Sequence, residues 1–270
     1  MFKEWTVTYF KSLGLVIQTQ LQYRFGLLMD ILSTAMFSVT EMGGLILILG
    51  QVGSLSGWNL WELIFLYSIA EASFGWMDMI FSGFDPDFFA PKVRSGDFDQ
   101  LLLRPYPITL QMMSSRFEIR RLGRILTGTA LFFIAVSQVS IDWSVWKALY
   151  IVVVLVSQVM LFGALFIFGS TVTFWTIERV EMMNIVTYGG REVISYPMDI
   201  FPRWMRRFYI FVIPFIFFNY YPGLYLLGKP DPLGLPAVSP FLAPFIGVLF
   251  LFLTLKFWKF GVNHYQSTGT

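Results

Sequence analysis

The sequence predicts an all-α, polytopic membrane protein with six transmembrane helices, and two observations carry this prediction. Of its 270 residues, 56% are hydrophobic and only 13% are charged, whereas soluble domains are about half apolar and a quarter charged. The apolar residues also form runs of roughly the length, about 20 residues, that a helix needs to cross a bilayer. A soluble domain of this size could not bury so much apolar surface in one core.

The first element is an amphipathic helix, expected over residues 1–24. Its apolar residues recur at a roughly helical spacing: Phe2, Trp5, Tyr9, Leu13, Val16, Ile17 and Leu21. Charged and polar residues lie between them, so one apolar face is expected to rest on the membrane surface as an anchor. No apolar run before Leu21 is long enough for the core of a cleavable signal peptide.

Six apolar runs follow, and they predict a single transmembrane domain over residues 25–270. They cover about residues 25–50, 60–81, 125–139, 146–175, 208–227 and 240–260. The fourth run is long for one crossing, so it is expected to tilt or to extend beyond the bilayer. If the N-terminus is cytoplasmic, 17 of the 19 cationic residues fall in cytoplasmic segments, and only Lys147 and Lys229 lie outside. Both termini are therefore expected in the cytoplasm.

The stretch over residues 178–207 allows two arrangements. In the first, it is a cytoplasmic loop and residues 208–227 form the fifth crossing. In the second, residues 181–197 cross as a short polar helix, and residues 201–227 enter from outside as a re-entrant pair of half-helices broken at prolines. The charge rule favours the first arrangement, because the second moves three arginines outside. Hydropathy alone does not separate them.

Two spans carry ionisable residues, which are costly in lipid and therefore indicate functional sites. The first stripe is Asp30, Thr34, Ser38 and Glu41, and the second is Glu71, Gly75, Asp78 and Ser82. Each recurs every three or four residues and so occupies one helical face. Such a stripe either hydrogen-bonds a neighbouring helix or lines a water-accessible pathway, with ion coupling as a third possibility. Glu41 and Glu71 are expected to lie deeper than Asp30 and Asp78.

The largest soluble segment, residues 84–120, follows the second span. Residues 97–103 can form a short helix that an Arg-Pro pair ends. Phe98, Leu101 and Leu102 are expected on one face of this helix. A short amphipathic helix beside the membrane is typical of docking to a partner protein, although a loop that packs under the bundle would carry the same pattern.

The sequence predicts no catalytic residues and no metal site. It has no Cys and one His, which excludes disulfide frameworks, zinc clusters and Cys nucleophiles. It lacks the G-x-x-x-x-G-K-[ST] loop that cradles ATP phosphates, and it lacks G-x-S-x-G and H-E-x-x-H. A net charge of +2 is too small to indicate nucleic acid as a partner. Energy for any uphill step would come from a partner or an ion gradient.

Four local motifs resemble the membrane subunits of type-2 ABC exporters, in particular the bacterial short six-span permeases that are encoded apart from their ATPase. Residues 92–105, KVRSGDFDQLLLRP, are similar to the signature G-x-x-D-x-x-L-x-R-P. Residues 174–176 resemble F-W-T, and residues 196–202, 211–215 and 221–222 resemble the paired Y-P…F-P and I-P-F…Y-P elements. The tail at residues 265–269 resembles the closing sequence. The motifs follow the family order over about residues 90–270.

The resemblance implies an exporter of the bacterial inner membrane and its partners. Two copies of an ABC ATPase would bind ATP and Mg, whereas this chain would bind no cofactor and no nucleic acid. A second permease, either identical or a homologous sister subunit, would complete the pathway within the membrane lipids. The first, second and fifth spans would line that pathway, and residues 1–24 would be the elbow helix.

The resemblance also assigns roles to residues. A coupling helix within residues 84–120 would contact the ATPase through Phe89, Lys92, Arg94, Gly96, Asp97, Phe98, Asp99, Leu101, Leu102 and Arg104. The pathway and its gate would use Glu41, Glu71, Asp78, Arg191, Glu192, Tyr196, Pro197, Pro202, Pro214, Tyr221 and Pro222. A re-entrant gate at about residues 197–228 favours the second arrangement above. Arg191 and Glu192 would then lie in the fifth crossing and face each other, the pathway or the partner.

Two other functions compete with this hypothesis. A membrane-embedded lipid-modifying enzyme would need clustered His, Asp or Ser at the membrane interface, and the sequence offers no such cluster. A non-catalytic channel or scaffold is the remaining alternative.

Overall fold

The computed structural model describes residues 2–178 and 181–267. All secondary-structure elements in these residues are helices. Arg179 of the charge count, and Thr268 and Gly269 of the tail motif, lie outside the described residues. The α-helices are α1 Phe2–Gln22, α2 Arg24–Val52, α3 Leu60–Phe81, α4 Pro86–Arg94, α5 Asp97–Leu102, α6 Ile108–Ser115, α7 Leu122–Gln138, α8 Val145–Thr176, α9 Glu181–Ile194, α10 Arg203–Phe211, α11 Tyr220–Leu227 and α12 Ala243–His264. The all-α prediction is confirmed.

Four helical stretches of the described residues are long and apolar enough to cross a membrane. They are Arg24–Gln51, Leu60–Arg94, Val145–Thr176 and Ser239–His264. The bent pair α10–α11 makes a fifth if it counts as one span. Helix α7 has 17 residues, about the minimum for a crossing. The structure therefore supports a polytopic membrane protein, while six crossings stay a prediction.

Helix α3 lies at the centre of the bundle. It is buried along almost its whole length, as a helix that is apolar on all sides must be. Helices α7, α8 and α9 pack against it, and α12 packs along α8. Helix α8 has 32 residues and is roughly 48 Å long at 1.5 Å per residue, so it exceeds the ~30 Å hydrocarbon core as predicted. By contrast, α2 leaves most of its apolar surface exposed.

The stretch over residues 178–207 contains a helix that runs along α3. Near the start of α9, Asn184 donates a hydrogen bond to Asp87 Oδ1 at 3.3 Å. Beyond its end, Asn219 donates to the carbonyls of Ile194 and Leu66 at 2.6 and 2.9 Å. Since Leu66 and Asp87 are far apart along α3 and α4, α9 runs antiparallel to α3.

The fifth apolar run, residues 208–227, does not form one straight helix. Helices α10 and α11 meet at an angle of 79°, and Pro214 lies at the break. Proline lacks the N–H that would continue the helical hydrogen bonds, and its ring clashes with the preceding turn. Two half-helices are therefore present, and they fit either a broken crossing or a re-entrant pair, so both sequence arrangements stay predictions.

The N-terminal helix packs part of its predicted apolar face against the rest of the protein. Trp5, Tyr9 and Val16 are half-buried, and α1 packs against α6. Gln20 donates to the carbonyl of Phe117 and accepts from the N–H of Ile119 at 3.0 Å. The face expected on the membrane surface thus partly rests on residues 104–119 instead.

Candidate functional site

A cluster of charged side chains joins four helices in the middle of the bundle. We call Glu41, Glu71, Arg124, Arg191 and Glu192 the charged layer. Arg191 on α9 donates to both carboxylate oxygens of Glu41 on α2, each at 2.8 Å, and also to Glu71 on α3. Arg191 and Glu71 are both buried. A guanidinium group suits this position, because its fixed fork can hold two carboxylates at once.

Glu71 is the most connected residue of the charged layer. Arg124, from the first turn of α7, approaches its Oε1 at 2.9 Å. This contact is an ion pair without an aligned hydrogen bond, because Arg124 Nε has no hydrogen-bond partner. Ser38 on α2 donates to the same carboxylate. Glu71 therefore ties α2, α7 and α9 to α3.

The charged layer is partly open on one side of the chain. The Glu192 side chain is 49% exposed and that of Glu41 is 23% exposed. Tyr67 donates to Glu41 at 3.0 Å, and Arg191 contacts Glu192. Three carboxylates thus surround two guanidinium groups, and only the carboxylates of α2 and α9 have substantial exposure. Burial of such ions requires close pairing, since desolvation is expensive.

A second ion pair lies two turns along α3, towards α4. Arg121 Nε approaches Asp78 Oδ2 at 2.9 Å, and Asp78 is fully buried. Both groups lack an aligned hydrogen bond, so their contact is electrostatic. One turn further, Ser82 donates to the carbonyl of Arg116 at 3.0 Å.

Both polar stripes bind neighbouring helices, which is one of the alternatives that their spacing predicts. On α2, Thr34 donates to the carbonyl of Arg120 at 2.8 Å, and Ser38 and Glu41 join the charged layer. Glu71 and Asp78 on α3 have no exposed surface in this conformation, and their pathway role stays a prediction. The pathway role of the other stripe residues stays a prediction.

The tip between α10 and α11, around Phe215, packs against α8 and α9 beside the charged layer. The ring of Phe215 stacks on that of Phe162 with centroids 5.5 Å apart. It also fills the space beside Gly190, where a Cβ would lie 2.5 Å from Phe215 Cε2. Gly190 precedes Arg191, so the tip and the charged layer share one turn of α9.

Buried amides hold the tip in place. Gln158 on α8 donates to the carbonyl of Phe218 at 2.8 Å and accepts from Ser73 on α3 at 2.6 Å. Asn219 donates to Leu66 and Ile194, as described above. Gln158 thereby satisfies a carbonyl at the break, while Asn219 ties the break to α3 and to the end of α9.

The predicted gate residues occupy different parts of this region. Tyr196 is half-buried and Pro197 is buried where α9 ends, while Pro202 is exposed just before α10. Pro214 lies at the break, and Tyr221 and Pro222 lie buried in the first turn of α11. Tyr221 donates to Asp231 at 3.2 Å and so ties α11 to the connection that leads to α12.

Helices α4 and α5 pack on the bundle through an aromatic cluster. We use this name for Phe89, Phe98, Phe174, Trp258 and Tyr265, whose neighbouring rings have centroids 4.9–6.3 Å apart. Edge-to-face pairs of this kind stabilise beyond the area that they bury. Helix α4 contributes Phe89, α5 Phe98, α8 Phe174 and α12 Trp258. The cluster therefore fixes α4 and α5 to the long helices.

This burial changes the roles expected for the coupling residues. Phe89, Phe98 and Leu101 are buried, whereas Leu102 is exposed. Leu102 is the last residue of α5, at the edge of the buried face that Phe98 and Leu101 form. Phe89 and Phe98 hold the segment in place rather than present a surface.

The outer surface of α4 and α5 carries the polar members of the predicted set. A cavity of about 770 Å³ opens there and has both acidic and basic groups in its wall. Asp87, Arg94 and Asp97 are exposed. Phe88 lies beneath the Lys92 ammonium at 4.8 Å. Arg104 is exposed where the segment leaves α5.

The turn before α5 depends on its glycine. Gly96 has φ +74°, which is the left-handed region that side chains with a Cβ rarely adopt. It allows the chain to reverse between α4 and α5, so that Phe98 returns to Phe89. The motif glycine therefore has a structural role here.

Sequence reasoning missed Arg121 and Arg124 as parts of the bundle. The charge count places both in a cytoplasmic segment, whereas the structure turns them towards Asp78 and Glu71. Their spacing of three residues puts them on one helical face, which was the available signal. In the described residues, no group of three or more His, Cys, Asp or Glu side chains is arranged to hold a metal ion.

Comparison with known proteins identifies the family. The family model for the ABC-2 family transporter protein matches residues 35–269. No curated protein and no solved structure matches the chain. The matched region includes all five residues of the charged layer, the half-helices, the α4–α6 segment and the described part of the tail. This chain therefore belongs to the ABC-2 transporter family and is a transmembrane permease of an ABC transporter.

Proposed function

We propose that this permease forms half of the pathway of an exporter and that separate cytoplasmic ATPase subunits drive it through α4 and α5. The observation that carries this proposal is the continuity of α3 with α4. Helices α3 and α4 follow one another along the stretch Leu60–Arg94, with one 3-10 turn and Asp85 between them. This stretch passes Glu71 in the bundle and ends at the exposed surface around Arg94. A displacement of α4 can therefore be transmitted along α3 to Glu71 in the charged layer.

From α3 the route continues to the half-helices. Glu71 pairs with Arg191 on α9, and Gly190 beside it supports the ring of Phe215. Close-packed helices transmit such shifts because their interfaces are not freely deformable. ATP-driven movement of α4 would thus reach the tip between α10 and α11, which acts as the gate.

The distribution of charge supports cytoplasmic termini and a cytoplasmic α4–α6 segment. The contacts of α9 support its role as the fifth crossing, with α10 and α11 entering from outside. Lys229, which follows α11, pairs with Glu62 at the start of α3 at 2.8 Å. This contact suits the outer end of the bundle, opposite α4. With α7 as the third crossing, the chain crosses six times.

The exposed side of α2 and α9 is where a second permease would complete the pathway. Helix α2 is mostly uncovered, and Glu41 and Glu192 reach the surface beside it. A carboxylate that faces lipid in the middle of the bundle has a high free-energy cost. Water or a partner protein is therefore expected to cover Glu41 and Glu192. The partner is either a second copy of this chain or a homologous sister.

Purification with the partner tests the proposal. A tagged permease extracted from its native membrane is expected to retain a P-loop ATPase and to stimulate its ATP hydrolysis after reconstitution. A permease that retains no such protein, and changes no ATPase rate, would contradict the proposal.

Reversing one charge on α5 should separate the ATPase from the membrane part. We expect Asp97→Lys to lower ATPase retention, because the exposed carboxylate lies in the wall of the α4–α5 cavity. A rim charge pair typically contributes no more than about 1 kcal/mol, so the expected loss of affinity is several-fold. Retention on tagged permease, measured at rising salt, checks this. Asp142→Lys, in the exposed connection between α7 and α8, is the control and should bind like the wild type.

A further inference from the structure

The tail beyond α12 folds back onto α5. Ser267 Oγ donates a hydrogen bond to Asp99 Oδ2 at 2.6 Å. The ring of Tyr265 meets that of Phe98 edge-on, with centroids 4.9 Å apart, and lies 5.5 Å from that of Phe174. We call the contacts of Tyr265 and Ser267 with α5 the tail clasp.

Two kinds of interaction hold Tyr265 and Ser267 on α5. Here, a hydrogen bond to an ionised carboxylate and an aromatic pair act together, and bonds of the first kind are about twice as strong as neutral ones. The Tyr265 hydroxyl is buried near Asp99 without an aligned hydrogen bond. Burial, and then the Asp99 carboxylate, raise the pKa of the Tyr265 hydroxyl to about 12, so this hydroxyl keeps its proton at neutral pH.

The tail clasp connects two mechanical units. Helix α4 joins α5 to α3, as described above. On the other side, α12 packs along α8, and the indole of Trp258 lies 5.3 Å from the ring of Phe174. Tyr265 follows α12 directly. Among the ring pairs of the described residues, Phe98 and Trp258 also link α5 to α12, but their centroids are 6.3 Å apart.

We propose that Tyr265 and Ser267 are positioning residues that keep α5 attached to the α8–α12 pair while the ATPase moves it. This inference rests on the proposed coupling function. A displacement of α5 then moves α8 and α12 together with α3, so both sides of the bundle respond. The tail clasp stays closed throughout the cycle.

The test uses the permease–ATPase complex reconstituted in liposomes. The reporter is a single cysteine at Ile185, which is exposed on α9, in a chain that otherwise has no Cys. Its maleimide labelling rate is compared with and without trapped ATP. The double variant Tyr265→Ala/Ser267→Ala is expected to keep hydrolysing ATP but to lose the ATP-dependent change in labelling. Tyr265→Phe, which keeps the ring, and His264→Ala, which alters an exposed neighbour, should behave like the wild type.

Crosslinking tests whether the tail clasp stays closed. A variant that combines Asp99→Cys with Ser267→Cys is crosslinked with a short bifunctional reagent that reacts with both thiols. Because the thiols are then occupied, the reporter at Ile185 is a label attached by chemistry other than thiol modification. Before crosslinking, the complex should be uncoupled, because the hydrogen bond is missing. Crosslinking should restore the ATP-dependent change. If the crosslinked complex is blocked instead, the tail must release α5 during the cycle, and the positioning role is wrong.

The outcomes separate this inference from the proposed function. A wild-type permease that neither binds nor stimulates an ATPase contradicts the proposed function. A wild type that couples, beside a double variant that couples equally well, contradicts the tail clasp alone. A double variant that no longer folds or binds the ATPase, together with a crosslinked pair that does not recover, would also overturn the inference, since the tail would then serve only the fold.

Discussion

Replacing Arg191 with methionine is expected to destabilise the permease by about 3–5 kcal/mol, the usual effect of removing one partner of a buried ion pair. Arg191 is buried and is the only member of the charged layer that contacts all three of its carboxylates. Without Arg191, the negative charges of Glu41 and Glu71 would lie close together, and Arg124 would be the one positive charge of the charged layer left to balance them. Thermal unfolding of the purified protein in detergent measures the effect.

Two further variants make this prediction specific. Arg191→Lys keeps the charge but lacks the fork that reaches two carboxylates, so its unfolding temperature should fall between those of wild type and Arg191→Met. Arg207→Met removes an exposed arginine of α10 and should unfold like the wild type. Equal unfolding temperatures for Arg191→Met and Arg207→Met would contradict the role of the charged layer.

Adding one methyl group at Gly190 is expected to displace the tip between α10 and α11. The new Cβ would lie 2.5 Å from Phe215, whose ring cannot swing away because it stacks on Phe162 and Tyr209. Overpacking of this kind costs about 1–3 kcal/mol. We therefore expect Gly190→Ala to unfold at a lower temperature than the wild type.

The adjacent glycine provides a matched control. A Cβ at Gly189 meets nothing closer than 4.0 Å, so Gly189→Ala should gain up to about 1 kcal/mol from helix propensity. Because both substitutions share that gain, their difference isolates the contact with Phe215. Combining Gly190→Ala with Phe215→Leu should recover part of the loss. If both alanine variants are stabilised equally, the tip does not pack on α9 as described.

Local signals in the sequence were sufficient to predict where α3 begins and ends. The helix begins at Leu60 and ends at Phe81, as hydropathy predicts. Its start is fixed by neighbours in the chain, since Asn59 accepts from the Glu62 N–H at 3.0 Å and Glu62 accepts from that of Asn59 at 2.8 Å. Such a capping box needs no distant contact.

The charged layer could be predicted only in part. Stripe periodicity places Ser38 and Glu41 on one helical face and Glu71 on another, but it does not decide between a neighbouring helix and a pathway, and it does not name the partners. Arg124 precedes an apolar run, where charge counting assigns it to the cytoplasm, and only the packing of α7 on α3 brings it to Glu71. Pairing across more than fifty residues is a property of the packed bundle.

The surface of α5 shows the same limit. A short local pattern predicts the helix and its end correctly, yet Phe98 could face either a partner or the bundle. The structure buries it because Phe174, Trp258 and Tyr265, which lie far along the chain, surround it. If α5 docks to the ATPase as proposed, polar groups such as Asp97 are the ones expected to make the contact.

The most direct test of the central claim, that an ATPase drives this permease through α4 and α5, is site-specific photo-crosslinking in intact membranes. A photoreactive amino acid replaces Asp97 in one variant and Asp142 in another. We expect a covalent adduct with a P-loop ATPase from position 97 and none from position 142. An ATPase that remains bound to the permease but crosslinks from neither position, or only from position 142, would contradict it.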